Sequence, residues 1–306
     1  MKTRSKLLLA AVSLLTVSVA ATATSAYAWF TANRQASAGI TSMGVQSTAG
    51  SLSISHKAGS DTFANGEVTL DNSGAKPVLT GKTTQNITDV SSNGNGTFVK
   101  PKFDAAGENR IGEYGQSTAT VKGQKTVTLT NGLTAYGVVT LAITLTNDGK
   151  DGVANKISVY LNPKNASLTS TNEILQKSAR FSIVDLDNSD TVLFYCSPTA
   201  ASETSYTYLS TATGNEEAIS GPTILDKRDG GFFDANTNMV TTSSTKNNIP
   251  ANRYLCDIAA GESHNFLITM WVEGTDTDCK YKSSDDATTT DLGSLNLIID
   301  LYALEA

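Results

Sequence analysis

The chain has 306 residues, with 23 basic against 29 acidic side chains and a formal net charge of −6. An acidic balance without a basic run has nothing to neutralise phosphates, so no nucleic-acid partner is expected, and an anionic membrane surface is a poor match. Only 17% of residues are charged, while Ser, Thr, Asn and Gly abound, which suits strands and polar turns better than a helical cytosolic enzyme.

Lys2, Arg4 and Lys6 form a positive start, and Leu7 to Ala23 carries no charge. Ala26-Tyr27-Ala28 then offers small residues to a signal peptidase. Residues 1–28 are therefore expected to be a secretory signal peptide, cut between Ala28 and Trp29. The competing expectation is an uncleaved anchor, because Leu7 to Ala28 nearly spans a hydrocarbon core of roughly 30 Å. No other membrane association is expected. Cleavage removes three of the 23 basic residues and no acid, taking the net charge from −6 to −9.

Beyond residue 28 the pattern is that of strands. Leu52 and Ile54 alternate with serines. Residues 59–123 are polar, with short strand candidates at Val68–Leu70, Val78–Leu79 and Phe98–Phe103. The run Ser91-Ser92-Asn93-Gly94-Asn95-Gly96 reads as hairpin turns and excursions. Thr126–Leu129 is a short strand before the Asn131-Gly132 turn. In Gly137–Thr146 the residues Val139, Leu141, Ile143 and Leu145 share a face, and Ile157, Val159 and Leu161 alternate again. Ser170-Thr171-Asn172-Glu173 matches a capping box and predicts one short helix, with Ser170 capping Glu173. Strands follow at Arg180–Leu186 and Thr191–Cys196, joined by a turn at Asp187-Asn188. A second polar region covers 197–252. At the C-terminal end His264–Glu273 and Ser294–Tyr302 are strongly alternating. The fold class expected is all-β, a jelly-roll-like β-sandwich with long polar insertions and one short helix, occupying residues 29–306 as a single domain.

Three cysteines, Cys196, Cys256 and Cys279, lack CxxC spacing, so neither zinc nor a redox motif is indicated. If one internal bridge forms, Cys256–Cys279 is the expected pair, because these two flank one strong strand; spacing alone leaves connectivity open. The two histidines, His56 and His264, lie in no recognisable nucleophile context, and a pairing of Cys196 with His264 has only composition behind it. Glu273, Asp276 and Asp278 crowd a loop that would suit calcium, but without EF-hand spacing, and a polar turn ending the strand is the simpler reading. Trp29, Trp271 and the tyrosines are candidate faces for sugar stacking. Trp271 shares a strand face with Leu267 and is expected to be packed. No catalytic, cofactor-binding or metal-ligating set is predicted.

The junction Ala26-Tyr27-Ala28-Trp29-Phe30-Thr31, followed by Ala49-Gly50-Ser51-Leu52-Ser53-Ile54-Ser55, resembles the SipW-type signal region and first strand of the TasA/camelysin-like family. Trp271-Val272-Glu273-Gly274 with Asp276 and Cys279, ahead of a last apolar strand, looks like the C-terminal region of large relatives from Gram-positive lineages. The resemblance implies a jelly-roll subunit secreted to the cell surface, in a family where several members build matrix fibres and the freed N-terminal strand can complete a neighbour's sheet. The sequence departs from the family in its length, its polar insertions and the Thr31-Ala32-Asn33 stretch. No metal-ligand motif supports the peptidase label that some camelysin-like members carry.

The function expected is therefore a secreted structural protein of the cell surface or matrix, with itself or other surface proteins as partner. Its candidate donor strand is Trp29–Val45, which carries Trp29, Phe30, Met43 and Val45. Pairing of this segment within its own domain is the competing expectation. The alternatives are a surface adhesin or glycan-binding module and, third, an extracellular hydrolase.

Overall fold

A computed structural model describes residues 35–47, 52–60, 67–73, 77–81, 85–87, 89–94, 98, 100–103, 110–114, 126–128, 134–136, 138–149, 156–162, 166–170, 172–196, 207–209, 216–219, 223–226, 239–240, 249–250, 253–276 and 291–305.

Segments of period two become strands. In chain order these are β1 (Gln35–Ser47), β2 (Leu52–His56), β3 (Val68–Asp71), β4 (Val78–Gly81), β5 (Gln85–Ile87), β6 (Lys100–Phe103) and β7 (Arg110–Tyr114). Then come β8 (Thr126–Thr128), β9 (Thr134–Tyr136), β10 (Val139–Asn147), β11 (Lys156–Leu161) and β12 (Ser167–Ser170). The described helix α1 (Glu173–Ser178) runs straight into β13 (Ala179–Asp185) and β14 (Thr191–Cys196). The second polar region contributes β15 (Thr207–Leu209), β16 (Glu216–Ala218), β17 (Thr223–Asp226), β18 (Met239–Val240) and β19 (Ile249–Pro250). The chain closes with β20 (Tyr254–Ala259), β21 (Ser263–Val272) and β22 (Asp291–Glu305).

The helix forms where its pattern predicts, but Ser170 does not cap Glu173. Its hydroxyl accepts from the Asn172 backbone N–H at 3.1 Å and donates to the Ser294 carbonyl at 2.8 Å. Ser170 already belongs to β12, so the first helical hydrogen bond, from Gln176 N–H, returns to the Asn172 carbonyl at 3.0 Å. Asn172 therefore occupies the N-cap position.

Two large sheets organise the molecule. One has the order β20-β11-β22-β1-β5-β9-β8, with β12 also on β22, and with β4 on β1 carrying β3. The other runs β17-β14-β13-β21-β10-β2. Their apolar faces meet in one core. Ile40, Met43, Val45, Val159, Leu297 and Ile299 come from the first sheet, and Leu141, Ile143, Phe181, Phe266 and Ile268 from the second. The chain is thus an all-β protein with packed sheets, a β-sandwich.

The strands β1 and β22 pair in parallel from Gln35↔Asp291 to Ser47↔Ala303, with irregularities between Gln35 and Ser37 and between Ile40 and Ser42. The second irregularity changes which residues face the core. Ala38 and Ile40 point inward before it, Met43 and Val45 after it, and all four are essentially buried. One extra residue in a strand reverses the parity of everything beyond it.

Part of the outer face of the second sheet is covered as well, and β13 is buried along its whole length. Across it lies a strap that the run Ser91–Gly96 does not announce. Val90 N–H bonds the Val272 carbonyl at 3.0 Å, and Gly274 N–H bonds the Val90 carbonyl at 2.8 Å. Ser182 Oγ donates to the Gly94 carbonyl at 3.1 Å. Gly94 has φ +79°, and a Cβ there would stand 2.8 Å from the Ser182 Cβ, so this crossing requires glycine. Of the hairpin turns expected over Ser91–Gly96, residues 91–94 are described, and they form this strap; Asn95 and Gly96 lie outside the described residues. Phe98, Phe194 and Trp271 fill the space beneath, with Trp271 edge-on to both other rings at 6.2 and 5.6 Å.

Candidate functional site

The candidate donor segment falls partly outside the described residues: Ala26, Ala28, Trp29 and Phe30 are not among them. Its remainder is β1, which lies inside its sheet rather than at an edge. β22 flanks it on one side, and on the other β5 pairs with Ala36–Ala38 and β4 with Met43 and Gly44. Met43 and Val45 register with Ile299 and Leu301 and are buried with them in the core. Each such side chain contributes about 1.5–3 kcal/mol on burial, so β1 is energetically part of the sandwich in this arrangement.

The acidic loop after β21 is committed to the protein itself. Glu273 is buried, and its carboxylate accepts from Trp271 Nε1 at 3.1 Å, Ser92 N–H at 3.3 Å, Thr275 N–H at 3.1 Å and Thr275 Oγ1 at 2.8 Å. Burial pushes its carboxyl above the ordinary value, against the hydrogen bonds of Ser91, Thr275 and Trp271 and the charge of Arg180. Asp276 forms a close ion pair with Arg180, and both side chains are nearly inaccessible. Burial would lower the guanidinium's affinity for its proton, but Asp276, Cys196 and Glu273 together raise it. Two of the three carboxylates considered for calcium therefore serve the strap and the end of β13; Asp278 lies outside the described residues.

At the opposite end of β13 and β21 stands a cluster without any local signature. His264 Nε2 is 2.9 Å from Asp185 Oδ2, and its Nδ1 is 3.7 Å from Asp187 Oδ2. One potential ligand atom from each residue lies within 4.8 Å of the others. The carboxylates face opposite nitrogens of one ring, whereas a single cation binds one of them. They are also occupied. Asp185 Oδ1 accepts from the N–H groups of Asp187 and Asn188 at 2.8 and 3.0 Å, and Asp185 Oδ2 accepts from Asn188 Nδ2 at 2.9 Å. Asp187 accepts the backbone N–H and the side-chain Nδ2 of Asn265 at 2.9 and 2.8 Å. Burial works to raise the Asp185 carboxyl, but the hydrogen bonds from Asn188, His264 and Asp187 outweigh it and hold it below the usual carboxylate range. The arrangement locks the β13–β14 turn onto β21.

Hydrolytic candidates are not brought together. Cys196 registers with Arg180 at one end of β13, while His264 meets Asp185 at the other. Cys256 is a free thiol, pushed up to about 12 by burial and by the charges of Asp185, Asp257 and Asp187. A thiol held protonated is a poor nucleophile. Cys279, the bridge partner expected for Cys256, lies outside the described residues. Trp271 is fully buried and offers no stacking face, while Tyr254 is 41% exposed and meets Tyr160 edge-on at 5.6 Å. Among the described residues no helix is long and apolar enough to cross a membrane.

Sequence reading anticipated the strand of Met43 and Val45 and the packed Trp271. It missed the Asp185–His264 pair, whose members stand 79 residues apart and meet only through the β13–β21 register. No family model, curated protein or solved structure matches the chain.

Proposed function

We propose that this chain is a secreted, non-enzymatic structural subunit of the cell surface or extracellular matrix that associates with further copies by strand complementation. The observation that carries this reading is the position of β1. It is the first described strand, and β22 and β4/β5 flank it on both sides. With the signal peptide cut after Ala28, as this proposal requires, only residues 29–34 would stand ahead of β1, so it could be withdrawn without unthreading another strand. The slot it leaves offers the same backbone partners and the same core pockets to β1 of a second copy. Contact energy is nearly conserved in such an exchange, so concentration and the geometry of the connecting residues decide between closed monomers and chains of subunits. The signal-peptide pattern of residues 1–28 and the Ala26–Thr31 junction support export and the TasA/camelysin-like reading, and the jelly-roll connectivity belongs to the same proposal.

The test is a mixing experiment. Ser42 and Ile298 are register partners across β1 and β22, and Ile298 is 36% exposed. Chains carrying only Ser42→Cys are assembled with differently tagged chains carrying only Ile298→Cys, then oxidised and run without reductant. A disulfide joining the two tags is expected, alongside fibres in the electron microscope. Fibres without that link would reject strand exchange, and a uniformly monomeric protein would reject the subunit reading.

A further inference from the structure

On the outer face of the second sheet, near its apolar patch of Ala142, Val184, Leu186 and Leu267, four polar side chains meet end to end. Lys57 follows β2 directly, and its N–H bonds the Ala142 carbonyl at 2.9 Å, which keeps it in line with β10. Asn265 lies in β21 opposite Thr144 of β10. Both β2 and β21 are antiparallel to β10, so they run parallel to one another on either side of it. Side chains from the two strands reach across the middle strand and touch. Lys57 Nζ is 3.2 Å from Asn265 Oδ1, and Thr144 Oγ1 donates to the same oxygen at 2.8 Å. On the other side of the amide, Asn265 Nδ2 donates to Asp187 Oδ1 at 2.8 Å, while Asp187 Oδ2 accepts the Asn265 backbone N–H at 2.9 Å.

These contacts orient the amide completely. Its oxygen faces two donors, one of them an amine, and its nitrogen faces a carboxylate. Acyl transfer needs a nucleophile beside a polarised carbonyl, a donor for the developing oxyanion and a proton carrier at the leaving nitrogen. The Asn265 amide supplies the carbonyl, and Lys57, Thr144 and Asp187, which stand within hydrogen-bonding reach of it, fill the other three roles.

We propose that Lys57 and Asn265 are joined by an intramolecular isopeptide bond, formed with loss of ammonia. For attack Lys57 Nζ leaves Oδ1 and swings over Cγ toward the side of Asp187, which takes a proton from the ammonium, and the freed amine attacks Asn265 Cγ. The Thr144 hydroxyl holds the oxyanion on Oδ1. Asp187 passes its proton to Nδ2 and accepts a second one from Nζ, the Cγ–Nδ2 bond breaks, and ammonia departs. The second proton leaves with it as ammonium, so the protein loses one positive charge. The Nζ–Cγ bond replaces the Cγ–Nδ2 bond, and no oxidant, reductant or further reactant enters. A primary amide is a weak electrophile, but fixing the amine against it supplies effective concentrations on the order of 10⁵ M or more. The product ties β2 to β21 covalently across β10, independently of whether β1 exchanges between copies.

Intact-mass spectrometry of the purified protein, referenced to its sequenced N-terminus, tests this directly. The expected mass is lower than that of the sequence by one ammonia. Proteolysis should yield one branched peptide in which Lys57 and Asn265 are linked, and Lys57→Arg and Asn265→Ser should each restore the full mass. Asp187→Ala should also restore it, or leave an unlinked fraction. A wild-type protein at full sequence mass overturns the proposal. An ammonia loss that persists in Lys57→Arg also overturns it, because succinimide formation at Asn65-Gly66, Asn93-Gly94, Asn95-Gly96 or Asn131-Gly132 gives the same mass without the bond.

Discussion

The strands β13 and β21 run side by side, and their two ends hold ionic groups in opposite surroundings. At the end of Arg180, Trp271 and Glu273, the strap of residues 89–94 and the rings of Phe98 and Phe194 exclude water. There every oxygen of Glu273 is engaged, and Arg180 and Asp276 face each other nearly inaccessible. At the end of Asp185 and His264 the same kinds of groups stand at the rim, with the His264 side chain 19% and the Asp187 side chain 40% exposed. Burial makes the first set a fixed structural element whose disruption leaves uncompensated charge. Exposure makes the second a lock that water can replace and that pH can tune.

The widest gap between the two ends should appear on deleting a cation. Arg180→Met removes the guanidinium facing Asp276 and should cost about 3–5 kcal/mol in urea unfolding. His264→Gln at the other end should cost no more than about 1 kcal/mol. Equal losses would break the contrast between the ends. A smaller effect is expected from the strap itself. Gly94→Ala forces a side chain into φ +79° and against Ser182, and should cost about 2 kcal/mol. It should also raise the exposure of Trp271 seen by fluorescence.

The finest discrimination comes from pH, because the two ends carry carboxylates shifted in opposite directions. Asp185 is lowered in the folded state. Its contribution is complete above the unfolded value near 3.9 and is lost as pH falls through the folded value. Glu273 is raised in the folded state. Its share of stability is complete below the unfolded value near 4.3 and diminishes as pH rises toward the folded value. The stability difference between wild type and Asp185→Asn should therefore shrink on acidification below about pH 4. The difference for Glu273→Gln should shrink on raising the pH from about 4. Parallel trends in the two variants would show that the ends do not differ electrostatically.

Much of the sandwich was legible because period two survives in the strands that face the core. Leu141, Ile143 and Leu145 in β10, Ile157, Val159 and Leu161 in β11, and Leu295, Leu297 and Ile299 in β22 are all inward-facing and buried. β1 was harder to read because Ala38 and Ile40 occupy even positions and Met43 and Val45 odd ones, which the irregularity after Ile40 reconciles. The run 91–96 reads as hairpin turns and excursions without disclosing a strap, because Ser, Asn and Gly are equally suited to an exposed hairpin and to a close crossing over a sheet. Nothing in the run 91–96 reveals that Ser182 waits beneath Gly94.

By itself the sequence determined the strand periodicity, the short helix and the acidic balance, because each is written in neighbours along the chain. Tertiary structure alone decided which strands adjoin. It therefore also decided that β1 lies between β22 and β5, that Glu273 is sealed beneath the strap, and that Lys57, Thr144, Asn265 and Asp187 converge. Those meetings join residues as far apart as Ser37 and Ser294. Their partners are selected by sheet register, a property of the packed whole that no local pattern encodes.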